Sequence, residues 1–227
     1  IGGSGNGTIS LAGLGDGNTA GATGTTTIGN TSTGTLTLPG TIYKTDNTQT
    51  YVAATGQNID ITGDGATFTT SNDNIAFNTA GVDLSFDGEG EDVVTTIDTG
   101  TGAGTVTFGG AIESGGGDDD VLTITSGTGT VTFTGNIGAT QELGGLNVNA
   151  SSGSGIITFT GDIGDTNAPQ SGVIGTSNIG NTATSRIDLD GGLYSFDGTT
   201  TFESSGAESV EISVATTIEN TANSLSF

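Results

Sequence analysis

The chain has no cysteine, methionine, tryptophan or histidine, and only two basic residues, Lys44 and Arg186. Without cysteine there is no disulfide framework, and no redox compartment can be read from thiols. Without histidine or cysteine, a Ser-His or Cys-His nucleophile is excluded and zinc loses its preferred ligands. Two cations against 25 acidic residues give a net charge of −23. Phosphate binding needs clustered Lys and Arg, so no nucleic-acid partner is expected. An anionic membrane surface repels such a chain for the same reason. No apolar run reaches the roughly 18 residues of a membrane span, so no membrane insertion is expected, and no signal peptide is visible. The sequence opens at Ile1 in mid-pattern, which reads as a mature or proteolysed segment, or as the ordered part of a longer polypeptide.

What is present is glycine, threonine and a repeat. A chain with 43 glycines could be disordered, but its hydrophobic residues, 31% of the total, are set in alternation and so predict packed strands. The unit Gly104-Thr105-Val106-Thr107-Phe108-Gly109-Gly110-Ala111-Ile112 returns at 129 to 137 and again at 155 to 163. Its phenylalanines, Phe108, Phe133 and Phe159, lie 25 and 26 residues apart. Recurrence at a period between 20 and 50 residues marks a repeat architecture. Shorter β-prone runs such as Thr35-Leu36-Thr37-Leu38 and Ile75-Ala76-Phe77 fill the flanks, punctuated by Gly, Asn and Asp. No stretch carries the apolar spacing of a helix beyond one turn.

About three strands per 25 or so residues, joined by glycine corners, describe one coil of a parallel β-helix, making the fold class all-β. Stacked coils put Phe108, Phe133 and Phe159 in one interior column. Val106, Val131 and Ile157 form a second, and Ile112, Ile137 and Ile163 a third. Alternation turns Thr107, Thr132 and Thr158 outward as a hydroxyl ladder. Nine coils would make a rod about 40 Å long. The alternative is an antiparallel β-sandwich, which also uses short strands and frequent turns but has no need of an equal period. Residues 1–227 read as a single β-solenoid segment, with a candidate irregular break in the Ser- and Asn-rich stretch 165–185.

The units at 104 to 112 and 130 to 138, with Asn47-Thr48-Gln49-Thr50-Tyr51, resemble repeats of filamentous-haemagglutinin-like adhesins and related large secreted bacterial exoproteins. The resemblance covers about 41 to 164. It implies a right-handed parallel β-helix, secretion to the cell surface, and adhesive or matrix roles. The secretion domain of such proteins is not visible here, which leaves the export route open.

Two acidic turns precede strands: Asp87-Gly88-Glu89-Gly90-Glu91-Asp92 and Gly115-Gly116-Gly117-Asp118-Asp119-Asp120. Each resembles the calcium-binding Gly-Gly-x-Gly-x-Asp repeat but lacks one of its fixed glycines, and the tandem nine-residue spacing is absent. Glu89, Glu91, Asp92, Asp118, Asp119 and Asp120 are therefore candidate Ca²⁺ ligands, since Ca²⁺ takes six to eight oxygens. The plain alternative is a pair of solvated acidic loops. A glycosidase needs two carboxylates at a fixed gap, which a run of aspartates does not establish, and no base titrating near neutral pH is present. The expectation is a non-enzymatic extracellular structural or adhesive protein that binds copies of itself or surface glycans. A carbohydrate-binding or depolymerising β-helix module of tail-spike type is the alternative. Asn149-Ala150-Ser151 matches the glycosylation pattern, as do other triplets in so Asn- and Thr-rich a chain.

Overall fold

The computed structural model describes residues 7–78, 81–84, 93–115, 120–149, 151–165, 172–205, 209–221 and 223–227. Among them there is no helix, and all strand pairing is parallel, as a β-solenoid requires and an antiparallel sandwich does not allow. Each coil visits three sheets in the same order. Val106–Phe108 lies in sheet one, Ile112–Ser114 in sheet three and Val121–Thr125 in sheet two, before Val131–Phe133 re-enters sheet one.

Sheet one stacks eight strands: Thr26–Gly29, Gln49–Val52, Ile75–Asn78, Val106–Phe108, Val131–Phe133, Ile156–Phe159, Arg186–Leu189 and Val210–Ile212. Sheet two also has eight, running from Ile42–Lys44 to Leu225–Ser226. Within the stretch 165–185, the sheet-two strand Ser177–Gly180 pairs on both sides, with Gly145–Val148 and Thr200–Glu203. Eight rungs rather than nine result because some coils are longer than 25 residues. Thr105 hydrogen-bonds Asn74 across 31 residues, and Thr158 bonds Asp188 across 30.

Sheet three is regular over Ile9–Ser10, Leu36–Leu38, Asn58–Ile61, Gly81–Leu84 and Ile112–Ser114, and again where Leu193–Phe196 pairs with Thr217–Asn220. Between the two regular parts it is reduced to single bridges, from Ile112 to Ile137, Ile163 and Tyr194. Gly135 and Gly138, the latter at φ +62°, leave room for one paired residue between them. The third strand of the repeat therefore begins at Ile112 and shrinks to a bridge at Ile137 and Ile163.

The core follows from the strand spacing. Parallel strands lie about 4.8 Å apart, and stacked rings prefer centroid separations of about 4.5–7 Å, so each rung delivers a ring at stacking distance from the last. Tyr51, Phe77, Phe108, Phe133 and Phe159 form such a column, with successive centroids 5.1, 5.0, 5.4 and 4.7 Å apart. Val106 pairs with Val131, and Val131 with Ile157, in the column beside it. Thr107, Thr132 and Thr158 alternate outward and are half-buried.

The corners are glycine because adjacent coils touch there. A Cβ on Gly129 would sit 2.0 Å from the Gly104 carbonyl oxygen, and one on Gly155 would sit 1.7 Å from that of Gly129. Two buried phenols close other corners. Gly40 N–H donates to Tyr43 Oη (2.8 Å), which donates to the Leu11 carbonyl (2.7 Å). Gly191 N–H donates to Tyr194 Oη (2.8 Å), which donates to the Phe159 carbonyl (3.0 Å).

Candidate functional site

Of the six acidic candidates, only Asp120 lies within the described residues; Glu89, Glu91, Asp92, Asp118 and Asp119 lie outside them. Asp120 is fully buried. Ser114 Oγ donates to its Oδ2 at 3.0 Å, and the Asp120 N–H donates back to Ser114 Oγ at 3.4 Å. Ladder pairing sets Val94 beside Val121, so the residue in register with Asp120 is Val93. Among the described residues, no group of three or more acidic side chains could hold a metal ion.

Asp120 turns inward because it shares the inner face with Leu122 and Ile124, two and four residues on. The same alternation governs a polar column at the exit of sheet two. Thr70, Thr99 and Ser126 each lie two residues after an inward apolar side chain, namely Phe68, Ile97 and Ile124. Thr70 Oγ1 donates to the Asp73 carbonyl at 2.5 Å, Thr99 Oγ1 to Gly104 at 3.0 Å and Ser126 Oγ to Gly129 at 2.8 Å. Asn149 closes the next corner, its Oδ1 accepting from the Ser126 N–H at 2.9 Å. Fully buried and so engaged, Asn149 offers no glycosylation acceptor.

On the outer side of these corners runs a groove of about 300 Å³. Its length crosses three consecutive coils, at Asp98 to Thr101, Thr125 to Thr128, and Ser152 to Ser154, and reaches Ala183 on a fourth. Gly100, Gly127 and Gly153 lie along it at φ +80°, +55° and +105°. The side chains facing it carry hydroxyls at Thr101, Thr125, Thr128, Ser152 and Ser154, with one carboxylate at Asp98. Asp98 Oδ1 accepts from the Gly100 N–H at 2.7 Å.

Both basic residues are engaged. Arg186 grips Asp188 through two nitrogens, Nε to Oδ1 at 2.6 Å and Nη2 to Oδ2 at 3.0 Å, while Nη1 lies 3.6 Å from Glu211. Lys44 Nζ donates to the Gly17 carbonyl at 3.4 Å. Backbone N–H groups of Asn18 and Thr19 hold the exposed Asp16 carboxyl below its ordinary range. Among the described residues, no helix is long and apolar enough to cross a membrane.

Among the described residues, the sheet-one strand Val210–Ile212 pairs with Arg186–Leu189 alone, and Ile212, Val214 and Phe227 are 49%, 47% and 68% exposed. Phe227 still stacks on Phe202 at 5.4 Å, continuing an interior column outward. Comparison with protein-family models, with curated proteins and with solved structures finds no match to this chain.

Proposed function

We propose that this chain is a β-solenoid segment of a non-enzymatic extracellular protein. In this reading it belongs to a surface adhesin, surface layer or matrix filament of the filamentous-haemagglutinin-like kind. The observation that carries the proposal is the stack of parallel coils itself, in which Tyr51, Phe77, Phe108, Phe133 and Phe159 form one continuous ring column that a further coil can extend. A solenoid edge is a template for a further rung, whether of the same chain or of another copy. Head-to-tail addition of that kind does not close, so it builds filaments rather than rings. The acidic surface keeps such rods hydrated and apart sideways.

Negative-stain electron microscopy and light scattering over a concentration series test this. Rods that lengthen with concentration are the expected result. Compact particles of constant mass at the highest concentration would overturn the proposal. A reducing-sugar assay on polysaccharide substrates should stay at background, and release of soluble sugar would assign the chain to the enzymes instead.

A further inference from the structure

We infer that the groove at residues 98–101, 125–128 and 152–154 binds a linear, uncharged glycan laid along the solenoid axis. The inference goes beyond the rod reading and does not depend on self-association.

The groove is held open by the backbone. Gly100, Gly127 and Gly153 all take left-handed φ values in three successive coils. A Cβ on Gly127 would meet the Gly102 carbonyl oxygen at 2.5 Å, and one on Gly153 would meet the Asn149 side chain at 2.6 Å. The same crowding that demands glycine at these corners leaves the floor without side chains. Hydroxyls and one carboxylate then face the empty space.

Those hydroxyls are uncommitted. Among the described residues, the side chains of Thr101, Thr125, Thr128, Ser152 and Ser154 have no hydrogen-bond partner. One turn inward, Thr99 and Ser126 spend theirs on closing the corner. A hydroxyl both donates and accepts, and a carboxylate accepts from neighbouring hydroxyls, so the lining complements a polyol. Among the described residues, no aromatic or long aliphatic side chain lines the groove.

Spacing and charge select the form of the polyol. Equivalent hydroxyls recur about every 4.8 Å along the axis, one coil apart. That interval is of the same order as one sugar unit in an extended chain, so successive sugars meet a hydroxyl at each coil. A volume of about 300 Å³ is at the small end for a ligand site and suits a few sugar units seated in an open trough. With Asp98 as the only charged lining residue among those described and a net charge of −23, uronate or sulfated chains are repelled.

The test uses the whole chain and isothermal titration with linear hexasaccharides of β-1,4-glucose, β-1,4-mannose and β-1,4-N-acetylglucosamine, with polygalacturonate as the anionic control. At least one neutral hexasaccharide should bind with a Kd of about 1 mM or tighter, and polygalacturonate should not bind. The double variant Thr101→Val, Thr128→Val removes two exposed hydroxyls without changing side-chain volume. It should weaken binding at least several-fold with an unchanged melting temperature. Ser152→Ala, on a third coil, should weaken the same ligand independently. Absence of millimolar binding by all three hexasaccharides, or equal binding by parent and variants, would overturn the inference. So would binding of polygalacturonate as tightly as the neutral chains. A failure here leaves the rod proposal standing, and compact particles in microscopy leave the groove standing.

Discussion

Phe108 and Phe133 lie with their rings 3° from parallel and 5.4 Å apart, although 25 residues of chain separate them. Phe133 is also stacked on Phe159 at 4.7 Å, so it is held on both faces. Each ring is buried by its copies in the coils above and below, so the loss of one ring is felt by two neighbours. Phe133→Ala is expected to cost about 3–5 kcal/mol, and Phe133→Leu distinctly less. Urea denaturation of the two variants measures this, and a loss below about 1 kcal/mol for the alanine variant would contradict a packed column.

The glycine corners give a sharper contrast. Gly129→Ala places a methyl 2.0 Å from the Gly104 carbonyl, a backbone atom that cannot move aside. The substitution should strongly lower the melting temperature or prevent folding. Gly24→Ala meets no atom within 4 Å and should leave the melting temperature nearly unchanged or slightly raised. Comparable melting temperatures for the two would show that coil contact does not dictate glycine.

Alkaline pH should unfold this protein through its tyrosines. Burial pushes the Tyr43 and Tyr194 hydroxyls up to about 12, and that of Tyr51 well above its ordinary value. The folded state holds these protons more tightly than the unfolded state does. The contribution is therefore complete below the unfolded pKa of about 10 and is lost as pH rises from 10 towards 12. For Tyr43 and Tyr194 the difference corresponds to roughly 3 kcal/mol each. Growing negative charge acts in the same direction. A stability curve that stays flat from pH 9 to 12 would be at odds with buried phenols. Tyr43→Phe should lessen the alkaline slope while lowering stability at neutral pH, because the Gly40 N–H loses its acceptor.

Calcium is the remaining expectation. If the turns around Glu89, Glu91, Asp92, Asp118 and Asp119 hold Ca²⁺, millimolar Ca²⁺ should raise the melting temperature relative to excess chelator, because a ligand that binds only the folded state stabilises it. Identical melting curves would remove calcium from the account. Asp120→Asn separates the parts: its carboxylate faces Ser114 inside the wall, so the variant should lower stability with or without calcium.

Much of the architecture could be read from pattern alone. The Gly-Thr-Val-Thr-Phe unit carries two periods, one of two residues that puts Val106 and Phe108 inside, and one of 25 or 26 that stacks them on Val131 and Phe133. The column of Thr70, Thr99 and Ser126 was equally legible, since each lies two residues after an inward apolar residue. It is masked by the chemistry of Thr and Ser, polar residues that mostly lie at the surface. Asp120 follows the same rule from Leu122 and Ile124, although a run of three aspartates looks like a solvated loop.

By itself, then, the sequence determined the strands, the stacking of like on like, the glycine corners and the strongly negative surface. Those follow from local alternation and from a repeat short enough to bury each coil only against the next. Only the tertiary structure decided how many rungs form, where sheet three thins to single bridges, and which polar groups turn inward. It also created the groove, whose walls belong to residues such as Thr101, Thr128 and Ser152 in three different coils. The physical reason is that corners are set by loop length and by carbonyl contacts between coils. Those contacts exist only once the chain has come round to meet itself.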